Sequence, residues 1–530
     1  MSALQELLHK YRELYAGIPE DSKSLAIIKG KWFEIVCLYF LRNDRGYKEQ
    51  FENVWLWSDW DGRDNKTDTG IDLVAKIKDR DKFCAIQCKF YEPEHSIAKS
   101  DIDSFLAASS REIFVQRIII STSLNWSMHA DDELQKQNPP CIRLGLDSLE
   151  QSSIDWSRFE PDNLSSVHYL PGKVLRPDQV EAVEAVLAGF QKADRGKMIM
   201  ACGTGKTLVS LKIAENFAGV GKIVLFLVPS IALLNQTLLA WNFDKSKDSP
   251  MIFFAVCSDK TVGKTDDEDL KLTDLAYPAT TRSDELLSSW NFIPNERKAN
   301  SMTVLFSTYQ SLKVIHEIQE AGFPDFDLVI CDEAHRTTGA MFHGKEDSEF
   351  VKIHENNFIR AAKRLYMTAT PKVYTEAVSR RAKEDNAQIF SMDDKKLFGE
   401  DFYTLSFSEA IQENLLSDYR VMVLAIDEGA VSDAVKDLLE KINLDPDDAT
   451  KMVGCWRGLS KKYHSVDSDF FTSDPAPMKM ALAFTSTIKN SKVFEQNFAD
   501  VIQSYKDAYP NNDGVKCEVR HVDWHDEKKV

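Results

Sequence analysis

The spacing of apolar residues changes along the chain, and each change marks a different kind of architecture. Across residues 29–41, Trp32, Phe33, Val36, Cys37 and Phe40 recur at helical spacing, which predicts an amphipathic helix. Short apolar runs bounded by turn residues follow at 51–57, 71–77, 83–90 and 115–121 and are predicted strands, with a helix at 102–108. These elements make residues 1–156 a mixed α/β domain, and the polar stretch 151–164 reads as a linker out of it. From 157 to 395, apolar runs at 197–200, 223–228, 252–256, 304–307, 328–331 and 365–367 alternate with helical segments. That alternation predicts a parallel sheet wound with helices, whose ligand sites lie at the carboxyl ends of the strands. The polar stretch 245–300, with its acidic run from Asp266 to Asp269, reads as a solvated surface excursion. Residues 396–530 restart the pattern, with strands expected at 421–426, at 480–484 and around Val519-Arg520-His521-Val522-Asp523, but too few to complete a sheet.

Composition narrows the picture. A chain of 530 residues with 43% hydrophobic content can bury several cores, and about three domains are expected. The formal charge of -18 opposes polyanion binding through the overall field, so any nucleic-acid contact must use local grooves. Nine scattered cysteines, of which only Cys84 and Cys88 lie close, give no zinc pattern and fit packed, reduced thiols of a cytosolic protein. Residues 1–15 mix charges into their apolar pattern and no run of about 18 apolar residues occurs, so neither an export signal nor a membrane span is expected.

The strongest chemical signal is Met200-Ala201-Cys202-Gly203-Thr204-Gly205-Lys206-Thr207, set between an apolar strand and the helical run 208–217. Gly203 and Gly205 let backbone N–H groups, including that of Thr204, approach phosphates; Lys206 reaches the β- and γ-phosphates and Thr207 ligates Mg²⁺. Met200 stands where the general pattern has glycine. The second half of an ATP site is Asp332-Glu333-Ala334-His335, delivered at the end of an apolar strand. Asp332 is expected to hold Mg²⁺ and Glu333 to orient and polarise the attacking water.

With both halves present, the chain resembles superfamily 2 helicases and translocases of DEAH type, and further motifs fall into order. Leu175-Arg176-Pro177-Asp178-Gln179 resembles the adenine-reading segment, with Gln179 as reader and Arg176 beside it. Val228-Pro229-Ser230 and Ser307-Thr308-Tyr309-Gln310-Ser311 resemble strand-end loops that contact the nucleic-acid backbone through Pro229, Ser230, Thr308 and Gln310. Thr368-Ala369-Thr370-Pro371 resembles the segment that links the ATP state, through Thr368, Thr370 and His335, to those contacts. Phe484-Thr485-Ser486-Thr487 resembles the first motif of a second lobe, with Thr485 and Ser486 on nucleic acid. Neutral donors at strand ends hold phosphates without reading bases, which suits movement along any sequence. The runs Tyr277-Pro278-Ala279-Thr280-Thr281, 407–411 and 418–420 resemble motor subunits of Type I and Type III restriction enzymes, which implies double-stranded DNA as the track.

In the first domain, Gly70-Ile71-Asp72 begins one strand, Gln87-Cys88-Lys89 ends the next, and Glu34 lies on the preceding helix. Phosphodiester hydrolysis needs carboxylates for a divalent ion and a cation near the scissile phosphate, and Asp72, Glu34 and Lys89 supply them. Alternation places Gln87 and Lys89 on one face of their strand. This set resembles the Mrr-like branch of PD-(D/E)xK nucleases, which implies Asp72 and Gln87 as metal ligands, with glutamine in place of the usual glutamate. Asp64 and Asp68 are read as turn residues. Trp55 and Trp57, which alternation puts on one face, are expected with Trp60 to pack on the first helix rather than to stack on bases, and His95 and His168 receive no role.

The expected architecture is therefore α/β: a nuclease fold over 1–156, a first RecA-like lobe over 157–395 and a partial second one over 396–530. The resemblance implies an ATP-dependent translocase coupled to a Mg²⁺-dependent endonuclease, as in single-polypeptide Type I restriction-modification enzymes, with methyltransferase and DNA-recognition domains downstream or on a partner chain. Two rivals remain: a DNA-binding ATPase whose nuclease-like module is inactive, with Gln87 as the symptom, and an RNA helicase with an unrelated N-terminal module. No Gln-x-x-Gly-Arg-x-x-Arg-like segment follows Phe484, so the chain is expected to be the front of a longer protein that turns over ATP poorly by itself.

Overall fold

The computed structural model describes residues 2–14, 23–63, 70–139, 141–246, 249–257, 272–342, 349–375, 387–419, 428–442, 444–461, 476–485, 488–509 and 517–520. The chain divides after Ser417 into two compact units.

The first unit begins with α1 (Ala3–Glu13), whose N-terminus is closed by a capping box between Ser2 and Gln5, and α2 (Lys23–Asn43). They lie against a sheet of β1 (Phe51–Leu56), β2 (Leu73–Ile77), β3 (Phe83–Lys89), β4 (Phe114–Ser121) and β5 (Cys141–Leu144), in that spatial order. The first three strands pair antiparallel and the rest parallel. Strand alternation sends Leu73, Ala75, Cys84 and Ile86 to a core shared with Phe33, Val36, Cys37 and Phe40 of α2. The opposite face, with Val74, Ala85 and Ile119, packs on α3 (Asp103–Ala108) through Phe105 and Leu106. Trp57 and Trp60 belong to that second core, Trp60 meeting Phe83 edge-on and Phe114 at a tilt, with Trp55 against it. The expectation that they pack on the first helix is corrected: the chain leaves the strand at Trp57 as a 3-10 turn, which throws the indoles across the sheet.

The same unit continues with a sheet of eight strands. After α4 (Pro177–Lys192) come β6 (Arg195–Met200), α5 (Lys206–Phe217), β7 (Ile223–Val228), α6 (Ile231–Asp244), β8 (Met251–Val256), β9 (Ala279–Thr280) and β10 (Met302–Thr308). Then follow α7 (Leu312–Glu320), β11 (Phe326–Cys331), β12 (Ala361–Thr368) and β13 (Glu400–Leu405). Their order is β9-β8-β10-β7-β11-β12-β6-β13, and every pair is parallel. The central strands are buried on both faces, β7 at all six positions, which is why they read as unbroken apolar runs. Strand β13 pairs with β6, so the first unit runs to Ser417, past the boundary at 395 read from the sequence.

The stretch 245–300 is not a solvated excursion where it is described. Strand β8 lies inside the sheet, and Leu275, Ala276 and Tyr277 are 1%, 3% and 2% exposed because they are covered by the N-terminal domain. The run from Asp266 to Asp269, and Asp64 and Asp68, lie outside the described residues.

The second unit contains α8 (Glu428–Ile442), α9 (Pro446–Ser460) and α10 (Ile488–Ala508), which bury Val431, Met452, Trp456, Phe498 and Val501 in a core of their own. Among the described residues of this unit there is no strand. Residues 480–484, expected as a strand, are irregular, with Met480, Leu482 and Phe484 at 90%, 87% and 93% exposure. A strand is held by its neighbours, and no described segment pairs with this one. Val519 and Arg520 are likewise outside any strand, while 421–426 and Ser486 lie outside the described residues.

Candidate active sites

At the carboxyl end of β6 the chain turns through a phosphate loop into α5. Gly203 and Gly205 have φ of 83° and 93°, a left-handed region costly for any other residue, so the glycines set the loop's shape. Gly205 caps α5, which begins at Lys206 and points its positive end into the loop. Thr204 Oγ1 donates to Ala201 O (2.7 Å) and Lys206 Nζ to Met200 O (3.3 Å). Thr207 follows on the first turn of α5.

The segment expected to read adenine also contacts the loop. Gln179 Nε2 and Arg176 Nη2 both donate to Thr204 O, at 2.9 and 2.7 Å, while Gln179 Oε1 accepts from the Arg176 N–H (3.0 Å). Gln179 is 2% exposed, with both ends of its amide used within the chain, and Arg176 also forks onto Asp178 at 3.1 and 3.0 Å.

At the end of β11, Asp332 is buried and Glu333 adopts a left-handed conformation (φ 48°, ψ 45°), a strained placement for glutamate that turns its side chain out of the strand. Burial, and then the neighbouring Glu333, push the Asp332 carboxyl up to about 6. Lys206 acts the other way, which puts it within electrostatic reach. A divalent ion beside Asp332 would offset the cost of holding its charge there, so this donor fits the expected Mg²⁺. His335 Nδ1 lies 3.0 Å from Thr368 Oγ1 and 3.3 Å from Glu333 Oε2, and the Thr370 N–H donates to Thr368 Oγ1 (3.1 Å). Glu333, His335, Thr368 and Thr370 thus form one chain of contacts. Burial lowers the His335 pKa. Sequence reasoning missed Tyr309, whose buried hydroxyl donates to Asp332 O (2.8 Å); it lies in the Ser307–Ser311 segment, but only the fold, which sets β10 and β11 on either side of β7, brings the two strand ends within reach.

The strand-end loops are less uniform than expected. Ser230 caps α6 by accepting from the Leu233 N–H (3.3 Å), and Gln310 Nε2 donates to Pro229 O (3.2 Å), tying the two loops together. Thr308 is 3% exposed and its hydroxyl lies 3.0 Å from that of Ser311. Thr485 lies in the irregular stretch of the second unit.

In the N-terminal domain Asp72 stands just before β2. Its backbone joins β1 and β3 through Trp57 N–H to Asp72 O (2.8 Å) and Asp72 N–H to Ile86 O (2.9 Å). Its Oδ2 accepts from the Cys88 N–H at 2.6 Å. Gln87, 3% exposed, donates from Nε2 to Gly70 O (3.0 Å), which fixes the amide's orientation and leaves Oε1 buried without a partner. A buried acceptor of that kind is costly unless a cation or water meets it, so Gln87 Oε1 fits a metal donor. Glu34 approaches from α2 and, with Asp72, raises the pKa of the buried Cys37 and Cys88 thiols, after burial itself. Lys89 shares the face of Gln87, whereas Cys88 packs against the core shared with α2. Among the described residues no cluster of three His, Cys, Asp or Glu side chains has metal-binding geometry; the set depends on an amide oxygen.

Comparison with known proteins agrees with both halves. A family model described as restriction endonuclease, of Mrr catalytic type, matches residues 42–165, and one described as Type III restriction enzyme, res subunit, matches 172–373. A probable helicase of African swine fever virus is 29% identical over 252 residues, 47% of this chain and 24% of its own length. The endonuclease subunit of the Type I restriction enzyme EcoAI of Escherichia coli is 25% identical over 260 residues, 48% of this chain and 25% of its own. Among solved structures, the ATP-dependent Type ISP restriction-modification enzyme LlaBIII bound to DNA matches at TM-score 0.74 and 40% identity, over 91% of this chain and 31% of that one. The chain thus spans about a quarter of the curated relatives it matches. It joins an Mrr-like restriction-endonuclease domain to a ResIII-type helicase domain, in the likeness of the Type ISP restriction-modification enzymes.

Proposed function

We propose that this chain is the nuclease and motor portion of a restriction enzyme that moves along double-stranded DNA by hydrolysing ATP and cuts it with its N-terminal domain. The observation that carries the reading is the presence, in one compact unit, of a phosphate loop facing Asp332-Glu333 and of Asp72 beside an amide oxygen with no partner. In this reading Gly203, Thr204, Gly205 and Lys206 hold the phosphates, Thr207 and Asp332 hold Mg²⁺, and Glu333 orients the attacking water. Mg²⁺, when bound, neutralises charge on the phosphates and on the scissile group. Asp72 and Gln87 hold the nuclease ion, with Glu34 supporting and Lys89 at the phosphate. Gln179 reads the adenine with Arg176 beside it, and Pro229, Ser230, Thr308, Gln310, Thr485 and Ser486 meet the DNA backbone. Methyltransferase and recognition domains, on the same or a partner chain, supply the target sequence, and the enzyme works in the cytoplasm. No described helix is long and apolar enough to cross a membrane.

The alternative of an inactive nuclease module is separated by one pair of substitutions. Asp72→Ala and Lys89→Ala should each reduce Mg²⁺-dependent cleavage by roughly 100-fold or more while DNA-stimulated phosphate release continues. Cleavage that survives both changes removes the nuclease assignment. ATP hydrolysis stimulated by RNA but not duplex DNA removes the restriction reading altogether.

A further inference from the structure

The first unit contains a joint between its two domains that the motifs do not account for. The connection between β8 and β9 turns at Leu272–Asp274 and lays Ala276 and Tyr277 onto the turn that follows α2. The Tyr277 hydroxyl donates to Asp44 Oδ1 (2.9 Å), which also accepts from the Gly46 and Tyr47 N–H groups (2.9 and 3.0 Å). The Tyr47 hydroxyl donates to Ala276 O (2.6 Å). All of this is out of water: Asp44, Tyr47 and Tyr277 are 4%, 1% and 2% exposed. Arg143 of β5 pairs with Asp274 of that turn, and Arg297 of the motor pairs with Asp79 between β2 and β3. A buried polar node satisfied only by groups from both sides fixes their relative placement, because separating them strands its donors and acceptors.

The node lies at the C-terminal ends of two helices that each carry a functional residue. Helix α6 starts at Ser230, in a loop assigned to DNA, and ends where the Phe243 and Lys245 carbonyls accept from Arg45 Nη1 (2.9 and 3.2 Å). Asn235 of α6 also accepts from the Ala276 N–H (2.9 Å), which pins the connection to that helix. Helix α2 carries Glu34 and runs directly into Asp44, whose N–H donates to Phe40 O (2.7 Å). Resting on the function proposed above, we propose that the contact of Asp44, Gly46 and Tyr47 with Ala276 and Tyr277 is a docking joint that holds the nuclease in fixed register with the motor's DNA loop. Motor-driven cleavage depends on this joint, whereas ATP hydrolysis does not.

Gly46 provides the test. Its backbone is ordinary right-handed helix (φ -78°, ψ -47°), so alanine is tolerated there within the nuclease domain itself. A Cβ at this position would lie 2.2 to 2.5 Å from the end of the Tyr277 ring. That ring cannot swing aside, since Tyr47 and Phe253 pack on it at 5.0 and 4.9 Å between centroids. Gly46→Ala, Tyr277→Leu and the double variant of the whole chain are compared for ATP-driven DNA cleavage, ATP hydrolysis and amide exchange. Gly46→Ala should lower cleavage about tenfold or more and speed exchange at 272–277 and 44–50, leaving ATP hydrolysis within about twofold. In the Tyr277→Leu background the same change should add less than about twofold, because the ring it strikes is gone. Unchanged exchange in Gly46→Ala, an equal loss in both backgrounds, or a parallel loss of ATP hydrolysis overturns the joint. If the unsubstituted chain cuts no DNA, the nuclease reading fails, and the exchange cycle alone decides whether the docking holds.

Discussion

Asp332 and Glu333 are neighbours in sequence with opposite environments, and their chemistry follows from that. Asp332 ends a fully buried strand and is held up to about 6 by desolvation, so below that pH it carries a proton that competes with a cation. The sign follows: Mg²⁺-dependent ATP binding should weaken as pH falls through about 6, requiring on the order of tenfold more Mg²⁺ at one unit below. Titrations of nucleotide binding at pH 7.5 and 5 measure this, and an unchanged Mg²⁺ requirement removes Asp332 from the metal site. Glu333, turned outward by its left-handed backbone, has a different task. Glu333→Gln should keep ATP binding and lose turnover by roughly 10²- to 10⁴-fold, because the amide cannot take a proton from water. Lys206→Ala should stop ATP-driven displacement of a DNA triplex while circular dichroism remains that of the parent, since Lys206 opens α5 and its ammonium group donates to the Met200 carbonyl at the loop's start. A loss of nucleotide binding in Glu333→Gln, or normal displacement by Lys206→Ala, contradicts the respective role.

At the scale of elements, the parallel sheet was legible because a strand buried on both faces is largely apolar: β7 is so throughout, and β10 and β11 carry the runs 304–306 and 328–331. The nuclease strands were legible from alternation. The docking of 272–277 was not, because it rests on Asp44, Tyr47, Arg143 and Asp274, polar or aromatic residues whose partners lie as far as 233 positions away. Local periodicity carries no information about such partners. The contact of Gln179 with the Thr204 carbonyl was illegible for a related reason: its residue type is the same whatever its amide meets. The exposed stretch 480–484 shows the converse, an apolar run that makes no strand without neighbours. His354 gives this scale its own test. It is buried beside β12, with Nδ1 3.1 Å from the Tyr366 hydroxyl and Nε2 3.2 Å from Thr337 O, which suits a neutral ring. Burial lowers its pKa to about 4. A histidine depressed in the fold contributes stability that is complete above its ordinary value near 6.5 and is lost as pH falls from there to about 4, on the order of 3 kcal/mol in all. Urea denaturation across that range should therefore steepen in pH for the parent relative to His354→Phe, which costs stability at pH 7 but removes this slope. Identical slopes would mean that His354 is protonated in the fold.

The whole molecule has two units with separate cores, and that separation has thermodynamic consequences. One apolar cluster runs from Leu4 and Phe33 of the nuclease through Tyr47 and Tyr277 to Val224 and Leu405 of the motor sheet, so these two domains share a core as well as a polar joint. Val431, Trp456 and Val501 belong to another cluster. Domains that share a core unfold together, while a unit with its own core can unfold independently. Scanning calorimetry of the chain should then show two transitions, not three. The nucleotide contacts assigned here, the phosphate loop with Asp332 and Glu333, all lie in the first unit. A ligand that binds the folded form of one unit stabilises that unit alone, by about 2.7 kcal/mol at a hundredfold excess over its Kd. A non-hydrolysable ATP analogue with Mg²⁺ should accordingly raise the transition of the first unit and leave the other in place, and a shortened chain ending at Ser417 should retain the shifted transition. If nuclease and motor melt separately, the joint at Asp44 and Tyr277 does not bind them into one cooperative body. If the analogue moves both transitions, nucleotide contacts must extend beyond Ser417.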